Sequence, residues 1–287
     1  MHMGALAPFF IREFLAMTDR YAVIGNPIAH SKSPTLHAAF ARQCSQDIRY
    51  EAILGPLDGF RAAVEAFRQA GGRGMNVTVP FKVEALALAD TLTERARLAQ
   101  AVNTLRFDAD GIFGDNTDGI GLVNDIQQRL GFAIAGKRVL ILGAGGAARG
   151  SVLPLAEAGP ARLCLVNRTL ARAEALQAQF AGIAALDVAP CDGLAGQCFD
   201  LVINATSAGL HGESLPLPDG IFAPGALAYD MVYGNAETPF MVAARALGAS
   251  RVSDGLGMLV GQAAESFFLW RGVRPDTGPV LQMLQGG

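Results

Sequence analysis

Arg138-Val-Leu-Ile-Leu-Gly143-Ala-Gly145-Gly146-Ala147-Ala148-Arg149-Gly150 reads as an apolar strand, a glycine turn and the start of a helix. Each part of that reading has a physical reason. Gly143 allows the tight turn, Gly145 lets the backbone approach a pyrophosphate, and Ala148 is small enough for close helix–strand packing. The helix N-terminus offers unpaired N–H groups and the positive end of a dipole to the phosphates. A GxGxxA spacing alone is weak, since a glycine-rich core turn would also produce it. Here strand, turn and helix are in register, and the reading is a nucleotide site on a Rossmann-type α/β fold.

The next strand, Leu163–Val166, selects the nucleotide. An NAD site carries an Asp or Glu at the end of this strand for the ribose 2′-hydroxyl. This strand ends instead in Asn167-Arg168-Thr169, with Arg172 one helical turn on. Guanidiniums suit a 2′-phosphate and no carboxylate repels it, so NADP is expected over NAD. The bland alternative is a helix capped by Thr169 with solvated arginines.

Outward from this core, strand-like and helix-like runs alternate as in a parallel α/β sheet. Before the glycine turn, strands are expected at Tyr21–Gly25, Ile48–Leu54 and Met75–Val79, with helices near 34–43 and 57–70. A hairpin follows around Asp108-Ala109-Asp110-Gly111, then a helix from Asp118 to Leu130. After the turn come a helix at 146–158, a helix at 169–180, and strands at Asp200–Asn204, Leu227–Met231 and Arg251–Val252. A helix at 238–247 opens on Thr238-Pro239. Helices from Leu256 to Arg271 and near 279–285 close the chain.

The counts bound the function. The chain has 287 residues, 51% apolar and 17% charged, with a net charge of −3. That length suggests about two domains of roughly 150 residues each. An apolar, weakly charged chain is not disordered, and without a basic excess nucleic-acid binding is excluded. No run reaches the ~20 apolar residues of a membrane span. Ala5–Ala16 imitates a signal peptide, but Arg12 and Glu13 interrupt it and no basic segment precedes it. Met17 is a candidate start. Cys44, Cys164, Cys191 and Cys198 lack metal or disulfide spacing, as suits a reducing cytoplasm. No metal site is expected.

Polar residues fall where strands end, which is where α/β sheets bind ligands. His30-Ser31-Lys32-Ser33-Pro34 offers two hydroxyls, and Thr78 and Lys82 follow the strand at Met75. Ala101-Val102-Asn103-Thr104 and Asn116-Thr117-Asp118-Gly119 add an amide and a carboxylate. Singly, each has a plain explanation: Ser33-Pro34 as N-cap and N1, Lys82 as a solvated lysine, Asn103 as a turn amide, Asp118 as an N-cap. His30, His37 and His211 have no spaced metal partners and read as structural.

Together these segments resemble the shikimate dehydrogenase family, in order from about Tyr21 to Trp270. The resemblance is carried by the segments just quoted, by Asn76-Val-Thr-Val-Pro-Phe-Lys82, Gly143–Ala147 and Asn167–Thr169, and by Asn204-Ala-Thr-Ser-Ala-Gly209, Asp230-Met-Val-Tyr233 and Gly255–Gln262. It implies a two-domain α/β protein, with residues 1–118 and 255–287 forming a substrate domain. Residues 119–254 would form an inserted Rossmann-type NADP domain. Ser31 and Ser33, helped by Tyr233, would bind the shikimate carboxylate. Thr78, Lys82, Asn103, Asp118 and Gln262 would hold the ring hydroxyls, with Lys82 and Asp118 the catalytic pair. Gly143, Ala144, Gly145, Gly146 and Ala147 would cradle the pyrophosphate, and Asn167, Arg168, Thr169 and Arg172 the 2′-phosphate end. Met231 and Gly255 would border the nicotinamide, and Thr206 would run along the cofactor.

Hydride loss from a secondary alcohol requires its hydroxyl proton to leave as well. Lys82 is assigned as general acid/base and Asp118 as its orienting partner. Hinges are expected near Asp118–Ile120 and Ser253–Leu256, closing a cleft over substrate. Two rival readings stay open: a quinate/shikimate enzyme using NAD, and a non-catalytic NADP sensor. Monomer and homodimer are both compatible with the sequence.

Overall fold

The computed structural model describes residues 18–206 and 216–286. Its first half contains β1 (Asp19–Gly25), α1 (Ser33–Gln43), β2 (Ile48–Leu54), α2 (Phe60–Gln69) and β3 (Gly72–Val77). It continues through α3 (Lys82–Leu88), β4 (Thr91–Leu92), α4 (Glu94–Ala99), β5 (Thr104–Asp108) and β6 (Gly111–Asp115). These strands form a sheet in the order β2-β1-β3-β5-β6-β4. β1 runs parallel to β2 and β3, and β5 runs antiparallel to β3 and β6. The expected hairpin is present, with Asp108 paired to Gly111. On one face, Phe60, Val64 and Phe67 recur at helical spacing along α2 and pack with Phe81, Met75 and Leu105.

The second half contains α5 (Asp118–Asn124), β7 (Arg138–Leu142), α6 (Gly146–Glu157), β8 (Arg162–Val166), α7 (Leu170–Gln179), β9 (Asp187–Ala189) and β10 (Phe199–Asn204). β11 (Phe222–Asp230), α8 (Pro239–Ala246), β12 (Arg251–Ser253), α9 (Leu256–Arg271) and α10 (Thr277–Gln285) complete it. The sheet order is β12-β11-β10-β7-β8-β9, all parallel. Val139–Leu142 are buried, as a strand covered on both faces requires. The connections leave β7 in one direction and β10 in the other, so a crevice opens between their C-terminal ends.

Several boundaries differ from expectation. The strand at Met75 ends at Val77, not Val79, because Thr78–Phe81 is a turn closed by Phe81 N–H to Thr78 O at 3.0 Å and Pro80 has no N–H for a ladder. α1 begins at Ser33 with Lys32 as cap, so Ser33 is not the N-cap. α5 ends at Asn124 and widens into a π-helical turn, Asp125–Arg129, with Leu130 N–H bonded to Asp125 O at 3.0 Å. The short elements α3, β4, α4 and β9 were not expected; they are too brief for periodicity to reveal. The Thr238 cap holds, its Oγ1 accepting from Met241 N–H at 3.3 Å.

α9 returns from the end of the chain to cross α5 and pack beside α1. The α5–α9 crossing is glycine on glycine: a Cβ at Gly121 would lie 2.5 Å from Gln262 N, and one at Gly261 2.8 Å from Gly121 O. On the buried face of α1, His37 is fully buried, stacked 4.2 Å from the Tyr50 ring and flanked by Phe267 and Trp270. Neither ring nitrogen has a hydrogen-bond partner among the described residues. Burial pushes its pKa from 6.5 down to about 3.

Gly121→Ala forces the helices apart and should lower unfolding free energy by about 1–3 kcal/mol in urea titration; unchanged stability would refute the close crossing. The unfolded chain protonates His37 near pH 6.5 and the folded chain only near 3, so stability falls as pH drops below 6.5. Between pH 7 and pH 5, His37→Phe should lose about 2 kcal/mol less than the parent; parallel pH curves would unlink His37 from the acid limb.

Candidate active site

A cavity of about 360 Å³ lies between the two sheets. The β1–α1 loop supplies Ser31 and the first residue of α1 supplies Ser33, whose N–H donates to Ser31 Oγ at 3.3 Å. Thr78 comes from the turn after β3, Lys82 from the first residue of α3, Asn103 from the approach to β5, and Asp118 from the first residue of α5. Tyr233 follows β11, and Gln262 lies on α9. All eight expected substrate residues therefore line one cavity, and Met231 and Gly255 join them.

Lys82 Nζ donates to Asp118 Oδ2 at 2.5 Å, and Asn103 Nδ2 donates to Asp118 Oδ1 at 2.8 Å. The Lys82 and Asp118 side chains keep 29% and 20% of their exposure, so the pair is partly desolvated yet open to the cavity. Asn103 is fixed from behind: its Oδ1 accepts from Thr117 N–H at 2.9 Å. Asn76 Nδ2 donates to Thr104 Oγ1 at 3.1 Å and Ser266 Oγ at 3.0 Å, while its Oδ1 accepts from Tyr50 Oη at 2.7 Å. A continuous polar network thus runs from the buried layer to the ion pair. Asn76, His30 and Lys32 also line the cavity; the quoted motifs contain all three, but from sequence Asn76 and Lys32 carry no assigned role and His30 reads as structural.

The glycine turn sits at the β7/β10 crevice. Gly143 has φ of +102°, a conformation that favours glycine, and a Cβ there would meet Thr206 Cγ2 at 2.8 Å. Apart from chain neighbours and the helix's own backbone, no described residue comes within 4 Å of a Cβ built at Gly145 or Gly146, and Gly145 caps α6 without a side-chain hydrogen bond. These residues fit a dinucleotide pyrophosphate: no side chain caps the helix start, and no described residue fills the cradle. Asn167 Oδ1 accepts from Ala144 N–H at 3.2 Å, and its Nδ2 donates to Thr169 O at 2.8 Å. Asn167 therefore ties the glycine turn to the β8–α7 turn, where Arg168, Thr169 and Arg172 are exposed. These last three do not reach the first cavity.

Asp230, quoted in a motif without a role, is buried; burial raises its pKa, although Thr238 Oγ1, Val232 N–H and Asn204 Nδ2 donate to it. It anchors the chain just before Met231. Thr206 Oγ1 donates to Asn204 Oδ1 at 2.7 Å. Ser207, Ala208, Gly209 and His211 lie outside the described residues. Among the described residues, no group of His, Cys, Asp and Glu is placed to hold a metal ion.

Three family models match in chain order: a shikimate dehydrogenase substrate binding domain over 23–105, a shikimate/quinate 5-dehydrogenase over 125–211, and a shikimate 5′-dehydrogenase C-terminal domain over 255–285. The NADP(+) shikimate dehydrogenase of Nitrosospira multiformis is 61% identical over 94% of this chain and 98% of its own. The chain belongs to the shikimate dehydrogenase family. The family member from Aromatoleum aromaticum is 62% identical over 93% of this chain and 97% of its own. The crystal structure of shikimate 5-dehydrogenase from Thermus thermophilus in complex with NADP(H) and shikimate superposes with a TM-score of 0.81. It is 36% identical, covering 92% of this chain and 97% of that one.

Proposed function

We propose that the chain interconverts 3-dehydroshikimate and shikimate with NADP, a step of aromatic amino-acid biosynthesis. The Lys82–Asp118 pair, fixed by Asn103 in the cavity that Met231 and Gly255 also border, carries this reading. NADP, when bound, would supply the hydride chemistry at the ring carbon in either direction.

Lys82 Nζ donates a hydrogen bond to the reacting oxygen and passes a proton to it as negative charge develops there. In the oxidative direction the same nitrogen accepts the hydroxyl proton. Asp118 holds Lys82 in place and accepts from the substrate hydroxyl. Ser31, Ser33 and Tyr233 bind the substrate carboxylate through hydroxyl donors, while Thr78, Asn103 and Gln262 orient the ring hydroxyls. Gly143, Ala144, Gly145, Gly146 and Ala147 cradle the pyrophosphate with backbone N–H groups. Asn167, Arg168, Thr169 and Arg172 bind the 2′-phosphate end, and Thr206, Met231 and Gly255 border the cofactor.

Residues 1–118 with 255–287 act as the substrate unit and 119–254 as the NADP unit, with hinges at Asp118–Ile120 and Ser253–Leu256. The enzyme works in the cytoplasm. Among the described residues, no helix is long and apolar enough to cross a membrane.

Lys82→Ala should reduce kcat at least about a hundredfold and change shikimate KM much less; near-normal turnover would remove Lys82 from its role. Arg172→Ala should weaken NADP binding and leave NAD binding nearly unchanged, because only NADP carries the phosphate. Equal losses would reduce Arg172 to a solvated residue. Measured kcat/KM for shikimate and quinate with each cofactor should be highest for shikimate with NADP; a preference for quinate or NAD would favour the rival enzyme.

A further inference from the structure

A second cavity, of about 480 Å³, lies behind the glycine turn between α4, α6 and α7. Gly145 and Ala144 form one edge, Arg172 comes from α7, and Arg149 comes from α6. Its lining carries two guanidiniums and no carboxylate among the described residues. The surrounding backbone adds positive potential. Neither α6 nor α7 has an acidic residue in its first turn, and neither helix start is capped by a side chain.

Arg149 stands where a bound anion would be stabilised. It lies one turn into α6, and side chains on a helix lean back toward the N-terminus, here toward Gly145. That brings a cation to the positive end of the helix dipole. Its Nη1 is held by a neutral group, Gln100 Oε1, at 2.9 Å. Its Nε is buried and has no hydrogen-bond partner among the described residues. Gln100 caps α4 at a left-handed φ of 50° and belongs to the first sheet's half of the chain. The guanidinium is therefore held at the edge of this cavity by a neutral amide, and no carboxylate of the described residues lines the cavity beside it.

We infer that Arg149 is a further specificity-determining residue for NADP, supplying an additional guanidinium to the ribose 2′-phosphate from the wall opposite Arg172. This rests on the reading of Arg172 as a 2′-phosphate ligand. A planar guanidinium with free N–H donors matches phosphate oxygens in a way that a solvated lysine does not. The pyrophosphate is the other phosphate that this cavity edge meets, and it is common to NADP and NAD. The two sources are therefore separable by comparing the cofactors.

The test is calorimetric titration of the purified protein with NADP and, separately, with NAD. Arg149→Gln keeps length and polarity while removing the charge, and Arg149→Lys keeps the charge without the fork. For Arg149→Gln the ratio of NAD Kd to NADP Kd should fall at least fivefold, with Arg149→Lys between it and the parent. A smaller change in that ratio overturns the inference, including the case of parallel losses on both cofactors, which would assign Arg149 to the pyrophosphate. Arg172→Gln, titrated alongside, separates the two readings. If it too leaves the ratio unchanged, the 2′-phosphate site at Arg172 fails. If it lowers the ratio and Arg149→Gln does not, only the inference about Arg149 falls.

Discussion

The α5–α9 crossing is the constraint on which the site depends. Gly121 and Gly261 let the helix backbones meet where a single methyl on either would collide with main chain. α5 begins with Asp118 and α9 carries Gln262, so that close approach brings groups 144 residues apart in the chain to one cavity. α9 also sends Ser266 into the network behind Asn103, and Trp270 Nε1 donates to Leu105 O at 2.9 Å. At its other end, Met258 N–H donates to Tyr229 Oη, which donates to the Asp125 carboxylate. One helix is thereby pinned to both sheets.

Buried charge is handled by a consistent device. Asp115 is almost fully buried, and its carboxylate accepts from Arg95 Nη2 at 2.6 Å, Arg95 Nε at 2.8 Å, Thr93 Oγ1 at 2.6 Å and Asn116 N–H at 2.7 Å. Asp125 is bound by Arg129 and Tyr229. Such saturated carboxylates contribute little net stability against apolar replacements, but removing one partner leaves a costly unpaired group. Their effect is to fix geometry. Asp115 anchors the segment that ends in Asp118, whose own carboxylate has only Lys82 and Asn103 as side-chain partners among the described residues and faces the cavity.

Much of the architecture was legible from the sequence because its signals are local. The apolar run Arg138–Leu142, the turn and the small Ala148 specify a strand–turn–helix unit through contacts within a dozen residues. Ile48–Leu54 and Leu256–Arg271 were readable to the residue for the same reason. Short elements such as α4 and β9 were not, since six or three residues carry no period. Asp115-Asn116-Thr117-Asp118 shows the limit inside a motif. Two carboxylates three residues apart look alike in the chain, and it is Arg95, approaching from another element together with Thr93, that makes one an anchor, while the other faces the cavity.

By itself, then, the amino-acid sequence determined the nucleotide-binding unit, the absence of an acid after β8, and the set of polar residues placed at strand ends. These rest on local backbone demands and on side-chain chemistry, which need no knowledge of distant neighbours. Tertiary structure alone decided that Ser31, Lys82, Asn103, Asp118, Tyr233 and Gln262 share one cavity, and that Arg149 and Arg172 share another. Those meetings come from sheet order and from a helix crossing that only glycine allows. Contacts so distant in the chain are set by packing of the whole molecule and not by any segment's own preference.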